Sequence, residues 1–169
     1  MQTGPLLSSV RMDWNTPDSI LCPLRAFALL AFGIARIALD PCSNGTSIVD
    51  ALESFDAASN GLSHSWLRNG LVYVNPPYGR AIGAWMRKAA QEAATGAQIA
   101  SLVPARVDTR WFQEAAKSAS CILFMKGRIR FVGALHAAPF PSAIIYWGDH
   151  PEAFQSCFGS LGLIWRPNP

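Results

Sequence analysis

The chain has 169 residues, of which 50% are hydrophobic and 15% are charged, and this composition indicates one folded domain and excludes a disordered protein. Its net charge of +3 permits an anionic partner without requiring one. The apolar run at residues 26–35 is too short to span a membrane, and no signal peptide is evident. The 4 cysteines have neither metal-ligand spacing nor a disulfide pattern. We therefore expect a cytoplasmic protein with reduced thiols, no bound metal and no membrane contact.

Taken in chain order, the apolar pattern alternates between strands and helices. After a loose N-terminus (residues 1–11), Thr16 is predicted to cap a first helix, with Pro17 in its first turn and Pro23 ending or kinking it early. A short strand then leads into the turn "DPCSNG", and residues 46–70 are too weakly periodic to assign. The remaining predicted strands lie at 71–74, 97–106, 121–131, 142–148 and, as a possible edge, 162–166, and the predicted helices lie at 81–94, at 108–119 and after residue 149.

This order predicts an α/β fold with a mainly parallel sheet and helices on both of its faces, because successive parallel strands need helical crossovers. The two consecutive late strands predict an antiparallel hairpin at one edge of the sheet. Ligands of such sheets bind beyond the carboxyl ends of the strands. Three predicted strands run into proline there, in "LDPC", "VNPPY" and "VPAR". We therefore expect the chemistry at this edge.

The stretch "LVYVNPPYGR" joins a buried strand to Asn-Pro-Pro-Tyr. Two consecutive prolines hold the chain extended, so that the carbonyl groups of Asn75 and Pro76 need not belong to a strand ladder or a helix. The amide of Asn75 adds another acceptor, and Tyr78 adds a flat ring. Two acceptors close together suit a planar NH₂ group, and the ring suits a heterocycle. The alternative is a proline-rich turn with an incidental tyrosine.

A planar amine is a poor nucleophile because its lone pair is delocalised into the ring. Two acceptors on its hydrogens favour the pyramidal form as a bond to carbon develops, which is stabilisation by preorganised dipoles. The matching electrophile is the methyl sulfonium of S-adenosylmethionine. The motif therefore indicates a methyltransferase acting on an aromatic amine or an amide.

Several separated segments resemble, in order, the small phage and prophage DNA N6-adenine methyltransferases of the Dam type. They are "DWNTP", "LDPCS", "NGLSHSW", "VYVNPPYGR", "LVPARVDTRWF", "GRIRF" and "APFPSAIIYW", and they cover roughly residues 12 to 147. The resemblance implies a Rossmann-like methyltransferase fold, S-adenosylmethionine as methyl donor, and the N6 amine of adenine in DNA as acceptor.

The resemblance also implies roles for individual residues. The Asn75 amide and the Pro76 carbonyl would bind the amine, and Tyr78 would stack on the base. Asp40 would bear on the methionine or ribose part of the cofactor, although a turn aspartate is the structural alternative. For Thr16 and Pro17 a helix start is the alternative, and both roles are compatible. The implied catalytic residues are Asn75, Pro76, Pro77 and Tyr78, and the implied cofactor-binding residues are Thr16, Pro17, Asp40, Pro41, Cys42, Asn60, Gly61 and Leu62.

The chain departs from the family pattern at two places. Related enzymes often carry a glycine-rich turn after the first strand, whereas "DPCSNG" contains only Gly45. The family usually has "DGL" where this chain has "NGL", so that Asn60 replaces an acid expected to contact the adenine of the cofactor. An amide can still hydrogen-bond there.

Two polar clusters are candidates for DNA contact. "PARVDTRWF" places Arg106, Asp108, Arg110 and Trp111 beyond a strand end, where Asp108 or Thr109 could instead cap a helix and Trp111 could belong to the core. "MKGRIRF" places Lys126, Arg128 and Arg130 around a glycine turn. The two arginines share a face of an extended segment, which suits phosphate contact but also a solvated edge strand.

We expect residues 1–169 to act as a single methyltransferase domain without a separate target-recognition domain. The expected partner is therefore double-stranded DNA with a short or weak sequence preference, from which the base is flipped, and a homodimer could add binding surface. The alternative acceptors are adenine in RNA, the N4 amine of cytosine and a glutamine side chain. A non-catalytic nucleic-acid-binding module of the same fold is the alternative from another class.

Overall fold

A computed structural model of the chain describes residues 14–167. The predicted loose N-terminus, at residues 1–11, lies outside the described residues. The helices are α1 (Asp18–Phe32), α2 (Ile82–Ala94), α3 (Arg110–Ser118) and α4 (Pro151–Phe158), with 3₁₀ turns at Gly61–Ser63 and Gly159–Leu161. The strands are β1 (Leu39–Asp40), β2 (Glu53–Ser54), β3 (Leu71–Val74), β4 (Gln98–Pro104), β5 (Cys121–Met125), β6 (Ser142–Trp147) and β7 (Gly162–Trp165).

The strands form one seven-stranded sheet in the order β2-β1-β3-β4-β6-β5-β7. β1 to β4 pair in parallel, β6 runs antiparallel to both β4 and β5, and β7 runs antiparallel to β5. β1 to β5 therefore share one direction, and their carboxyl ends meet at one edge of the sheet. The predicted mixed α/β architecture is confirmed at this level.

The antiparallel pair formed by β5 and β6 lies inside the sheet, so its predicted place at an edge was wrong. All 6 residues of β6 are buried, because apolar side chains leave both faces of the strand. Such a strand needs neighbours and helices on both sides. β7 instead alternates between half-buried and exposed residues, and it forms the edge as predicted.

The first helix differs from its prediction in two ways. Pro17, not Thr16, is the N-cap residue, and no side chain caps the helix. Pro23 does not end the helix, which continues to Phe32. A proline in a helix interior costs about 3 kcal/mol, but Leu24 and Phe27 beyond it are fully buried. Each such burial contributes about 1.5–3 kcal/mol, enough to offset the lost hydrogen bond.

Helices cover both faces of the sheet, as predicted. The core on one face contains α1, α4 and the sheet side chains Tyr73, Leu102 and Ile144. The core on the other face contains α2 and α3, with Val72 and Ile99 from the sheet. Among residues 14–167, no helix is both long and apolar enough to cross a bilayer. The two layers leave the carboxyl edge of the sheet uncovered between them.

Candidate active site

A cavity of about 580 Å³ lies beyond the carboxyl ends of β1 and β3, which are neighbours in the sheet. Asp40 ends β1, and Asn75 follows directly after β3. The sheet thereby brings together segments that lie 35 positions apart in the sequence, as predicted. The cavity is lined by Trp14, Asn15, Thr16, Asp40, Cys42, Ser43, Asn44, Gly45, Ser47, Val49, Asp56, Ala57, Ala58, Asn60, Gly61, Asn75, Pro77 and Trp85.

Asp40 is the buried carboxylate of this cavity, with 4% of its surface exposed. Its Oδ1 accepts from the backbone N–H of Cys42 at 3.1 Å, and its Oδ2 accepts from Ser47 Oγ at 3.2 Å. Burial raises the pKa of Asp40 from 3.8 to about 6, although these bonds oppose the rise. Burial and the neighbouring Asp40 also raise the pKa of the Cys42 thiol, so Cys42 stays neutral and contributes its backbone and surface rather than a nucleophile. Pro41 between them is buried.

The packing around Gly61 explains why the segment "NGL" has a glycine at this position. A Cβ at this position would lie 1.8 Å from the carbonyl oxygen of Pro41, so only glycine lets the segment after β1 and the segment of residues 60–62 touch. The Gly61 carbonyl accepts from Trp66 Nε1 at 2.8 Å, and Trp66 itself is fully buried. The tryptophan of "NGLSHSW" therefore holds the glycine against the first strand's turn. Asn60 has a left-handed backbone (φ 51°) and lines the cavity, and Leu62 packs against the core.

The Asn75 side chain has a defined orientation. Its Nδ2 donates to the backbone oxygen of Trp14 at 2.7 Å and to Thr16 Oγ1 at 3.2 Å. Its Oδ1 accepts from the Tyr78 hydroxyl at 2.9 Å. The backbone carbonyl of Trp14 can only accept a hydrogen bond, so the Asn75 amide must turn its nitrogen towards Trp14. The Asn75 oxygen therefore points away from Trp14, towards the Tyr78 hydroxyl. The amide oxygen keeps a second lone pair for a substrate N–H.

Tyr78 lies in an aromatic cluster beside Asn75, away from the large cavity. Its ring centroid is 5.6 Å from that of Phe140 and 6.2 Å from that of Phe131, both in edge-on arrangements. Trp14 packs on Phe131 with centroids 4.9 Å apart. Burial raises the pKa of Tyr78, so the hydroxyl keeps its proton and its bond to Asn75. Pro76 is buried, whereas Pro77 lines the cavity.

The first predicted DNA-binding cluster follows β4. Arg106 and Asp108 are exposed, and Thr109, not Asp108, caps α3 by accepting from Phe112 N–H at 3.4 Å. Arg110 forms an exposed ion pair with Glu114 at 2.7 Å. Trp111 is half-buried and packs against the core beneath α2 and α3. Arg106 is therefore the member of this cluster that is best placed for an anion.

The second predicted cluster follows β5 at the same edge of the sheet. Lys126, Arg128 and Arg130 are exposed, whereas Ile129 between the two arginines is buried. The two arginines thus share an outward face, as the spacing predicted. Within residues 14–167, none of these three cations forms an ion pair. With Arg106, and with Arg80 after the Asn-Pro-Pro-Tyr motif, they form a set that we call the basic rim.

Sequence reasoning missed several residues of this site. Trp14, Ser47 and Trp85 line the cavity, but they come from segments that are not adjacent in the sequence. Arg80, two residues after the Asn-Pro-Pro-Tyr motif, is exposed, and its charge near that motif was a usable signal for the basic rim. Tyr73 carried no signal, because it reads as one more apolar residue of a strand. Its hydroxyl lies 2.8 Å from Thr16 Oγ1, which links the strand to the cavity wall.

The comparison with known proteins decides the family. The DNA N-6-adenine-methyltransferase (Dam) family matches residues 4–143 of the chain. The chain belongs to this family. It is also 29% identical over 116 residues to the DNA N-6-adenine-methyltransferase of Escherichia phage T1. That match covers 66% of this chain and 48% of the phage protein, so the chain spans about half the length of this curated relative.

Membership of this family implies S-adenosylmethionine as the methyl donor, and the cavity fits that cofactor. Its volume of about 580 Å³ lies within the usual range for small-molecule sites, about 300–1,000 Å³. It combines a buried carboxylate at Asp40, amides at Asn44 and Asn60, and the indole of Trp85. These groups match the ammonium, hydroxyl and heterocyclic parts of the cofactor. No cluster of three or more potential metal ligands occurs in the described part of the chain.

Proposed function

We propose that this protein transfers a methyl group from S-adenosylmethionine to the N6 amine of adenine in DNA. The observation that carries the proposal is the Asn75 amide, whose oxygen faces away from Trp14 at the rim of the 580 Å³ cavity. Membership of the DNA adenine methyltransferase family supports the same acceptor and the same methyl donor.

The protein's part in the reaction is to bind and polarise the amine. When bound, the cofactor supplies an electrophilic methyl group on a sulfonium. Asn75 Oδ1 and the Pro76 carbonyl accept the two N6 hydrogens, which localises the lone pair on N6 as the new N–C bond forms and the S–C bond breaks. The N6 proton then passes to water. Pro77 stiffens the loop, and the ring of Tyr78 stacks on the flipped base.

We assign the cavity over β1 and β3 to the cofactor. Asp40 is placed for the methionine or ribose part, and Asn60 for its adenine. Gly61 and Pro41 hold these two segments together, Cys42 belongs to the cavity wall, and Leu62 packs against the core beside Gly61. Thr16 lines the cavity just before α1, and Pro17 follows it as the N-cap residue of that helix. The buried, hydrogen-bonded state of Asp40 supports this assignment, since such a group is poised for a ligand rather than for solvent.

We assign the basic rim to the DNA backbone, with Arg106, Lys126, Arg128 and Arg130 as its main contacts. Asp108, Arg110 and Trp111 lie near this surface, where they would contact DNA beside the rim. The expected substrate is double-stranded DNA with a short or weak sequence preference, and a homodimer would widen the surface. The antiparallel strand β6, inserted between the parallel strands β4 and β5, supports a Rossmann-like methyltransferase fold. We propose that the chain acts as a single domain, and that it does so in the host cytoplasm.

A tritiated-methyl transfer assay with DNA, RNA and protein acceptors side by side tests the proposal. We expect label in duplex DNA, released as N6-methyladenine on hydrolysis, and incorporation about 10²-fold slower or more with Asn75→Ala. Label in RNA, on N4 of cytosine or in glutamine would assign another acceptor. DNA binding without transfer to any acceptor would indicate a non-catalytic module.

A further inference from the structure

We propose that Tyr73 and Thr16 are positioning residues that hold the Asn75 amide in its productive orientation. The inference rests on the proposed methyl transfer at Asn75 and extends it to two residues that would not touch the amine. Tyr73 and Asn75 are two positions apart along β3 and its extension, so their side chains leave the same face of the strand. Thr16, from a segment 57 positions before Tyr73, bridges them.

The bridge consists of two hydrogen bonds. Thr16 Oγ1 lies 2.8 Å from the Tyr73 hydroxyl and accepts from Asn75 Nδ2 at 3.2 Å. The Asn75 Nδ2 also donates to the backbone oxygen of Trp14 at 2.7 Å. Both hydrogens of Asn75 Nδ2 therefore have an acceptor, one on Trp14 and one on Thr16. A rotation of the amide by 180° would place its oxygen against the Trp14 carbonyl and its donors against the incoming amine.

The burial of the bridge makes its geometry rigid. Tyr73 is 0% exposed and Thr16 is 2% exposed, so water does not compete for either hydroxyl. Burial also raises the pKa of Tyr73 far above its usual value, which keeps the phenol protonated. Thr16 is the hydrogen-bond partner that the structure gives the Tyr73 hydroxyl. Loss of that hydroxyl would free Thr16 to rotate and to stop accepting from Asn75.

Tyr73→Phe removes the hydroxyl and keeps the packing, so it is the primary test. Tyr146→Phe is the matched control. Tyr146 is an equally buried strand tyrosine, and its hydroxyl donates to Gln98 at 2.9 Å near the opposite edge of the sheet. Thr16→Val removes the bridge, and Thr16→Ser keeps its hydroxyl. Methyl transfer to a duplex, cofactor affinity from tryptophan fluorescence, duplex affinity and Tm are measured for each variant.

We expect Tyr73→Phe and Thr16→Val each to lower kcat by about 10-fold, as for other groups that orient a catalytic side chain. Cofactor and duplex affinities of Tyr73→Phe should stay near those of the wild type. Thr16→Ser should restore kcat. In the Thr16→Val background, Tyr73→Phe should have no further effect, because both changes break one chain of bonds.

Two outcomes would overturn the proposal. One is a Tyr73→Phe enzyme with an unchanged kcat, and the other is a kcat loss equal to that of Tyr146→Phe at a similar drop in Tm. A second readout does not need activity. In ¹⁵N NMR spectra, the Asn75 side-chain NH₂ protons should exchange faster with water in Tyr73→Phe than in Tyr146→Phe, and equal rates would refute the bridge. A wild-type protein that methylates no DNA would refute the proposed function, while the NMR result would still decide the bridge.

Discussion

The two halves of the carboxyl edge differ in how they present polar groups. Over β1 and β3 a cavity holds the buried carboxylate of Asp40 and the half-buried amide of Asn75, and both groups are hydrogen-bonded within the protein. Over β4 and β5 four cations of the basic rim, Arg106, Lys126, Arg128 and Arg130, are exposed and make no ion pairs within the described residues. Hydrogen bonds to a ligand in the cavity act in a low dielectric, so added salt should weaken them little. Attraction of an anion to the exposed cations adds up over several residues and is screened by salt. Such a division suits one small enclosed ligand and one long polyanion.

The largest loss of activity should come from Asn75→Ala. This change removes a hydrogen-bond acceptor after β3, between the cavity and the basic rim. We expect kcat to fall by about 10²-fold or more, as for the loss of one preorganised hydrogen bond to a transition state. Cofactor affinity should change little because Asp40 and Asn60 are unchanged, and duplex affinity should change little because the basic rim is unchanged. Single-turnover methyl transfer, with both affinities measured in parallel, checks this expectation. Near-normal transfer would remove Asn75 from the chemistry.

Asp40→Asn tests whether burying the charged Asp40 carboxylate in the cavity lowers the free energy of unfolding. Burial raises the pKa of Asp40 from 3.8 to about 6, so between these values the folded state keeps a proton that the unfolded state has released. The stability of the free protein should therefore fall as pH rises through this range and stay lower above it. The free energy of unfolding should fall by about 3 kcal/mol in total over this pH range. Asp40→Asn, which has no charge to bury, should regain that stability at neutral pH.

The same variant should bind the cofactor more weakly, because it loses the negative charge at the end of β1. Urea unfolding between pH 4 and pH 8, together with cofactor titration, measures both effects. Asp149→Asn is the control, since Asp149 is exposed and accepts from Gln98 outside the cavity. A variant that is less stable at neutral pH, or that binds the cofactor normally, would contradict this account.

Tyr78 lies beside Asn75, and the two roles that we propose for it, stacking on the base and donating to Asn75, can be separated. Tyr78→Ala removes the ring, and stacking on a flipped base is worth about 1–3 kcal/mol. Tyr78→Phe keeps the ring but loses the hydroxyl that donates to Asn75 Oδ1, worth about 0.5–1.5 kcal/mol. We therefore expect a smaller loss of kcat/KM for Tyr78→Phe than for Tyr78→Ala. Equal losses would mean that the hydroxyl bond, not stacking, is the contribution of this residue.

The elements that were predicted well carry their signals locally. β3 is an apolar run closed by prolines, α2 ends before Gly96 in a left-handed conformation (φ 104°), and Thr109 caps α3 as one of two proposed caps. The Asn-Pro-Pro-Tyr motif joins a strand to a stiff loop within a few residues. For these elements, neighbours in the sequence are also the neighbours that determine the structure.

The parts that were missed depend on distant contacts. The position of β6 between β4 and β5 follows from pairing across the whole sheet, which no local pattern encodes. Residues 46–70 have weak periodicity because contacts with other parts of the chain hold them, such as the bond from Trp66 N–H to Glu92 at 2.7 Å and the bond from Phe55 N–H to the Asp40 carbonyl at 2.9 Å. Thr16 looks like a helix cap in the sequence, and only the fold gives its hydroxyl to Tyr73 and Asn75.

The basic rim should produce a smaller effect that depends on salt. Arg128→Ala with Arg130→Ala should weaken duplex binding alike on all sequences and lower the slope of log affinity against log salt by about 2 units. Cofactor affinity should not change. Arg36→Ala with Lys117→Ala is charge-matched and lies towards the opposite edge, since Arg36 precedes β1 and Lys117 is in the last turn of α3. Titration of a fluorescent duplex at several salt concentrations compares the pairs, and identical slopes would exclude this turn from the DNA surface.

The smallest expected effect concerns Asn60, where the resemblance drawn from the sequence led us to expect an acid. Asn60 lines the cavity with an exposed side chain, so Asn60→Asp adds a carboxylate without burying it. If this position contacts the adenine amine of the cofactor, a charged acceptor should strengthen that bond by about 0.5–1 kcal/mol, which lowers the cofactor Kd by about two- to fivefold.

Ala58→Asp is the charge-matched control for Asn60→Asp, because Ala58 lines the same cavity two residues earlier. A gain of affinity in Asn60→Asp alone would place the cofactor's adenine at this position. An equal gain in both variants would indicate only a general charge effect. Weaker binding in Asn60→Asp would mean that the amide donates to the cofactor there, and that the asparagine suits a different edge of the ring.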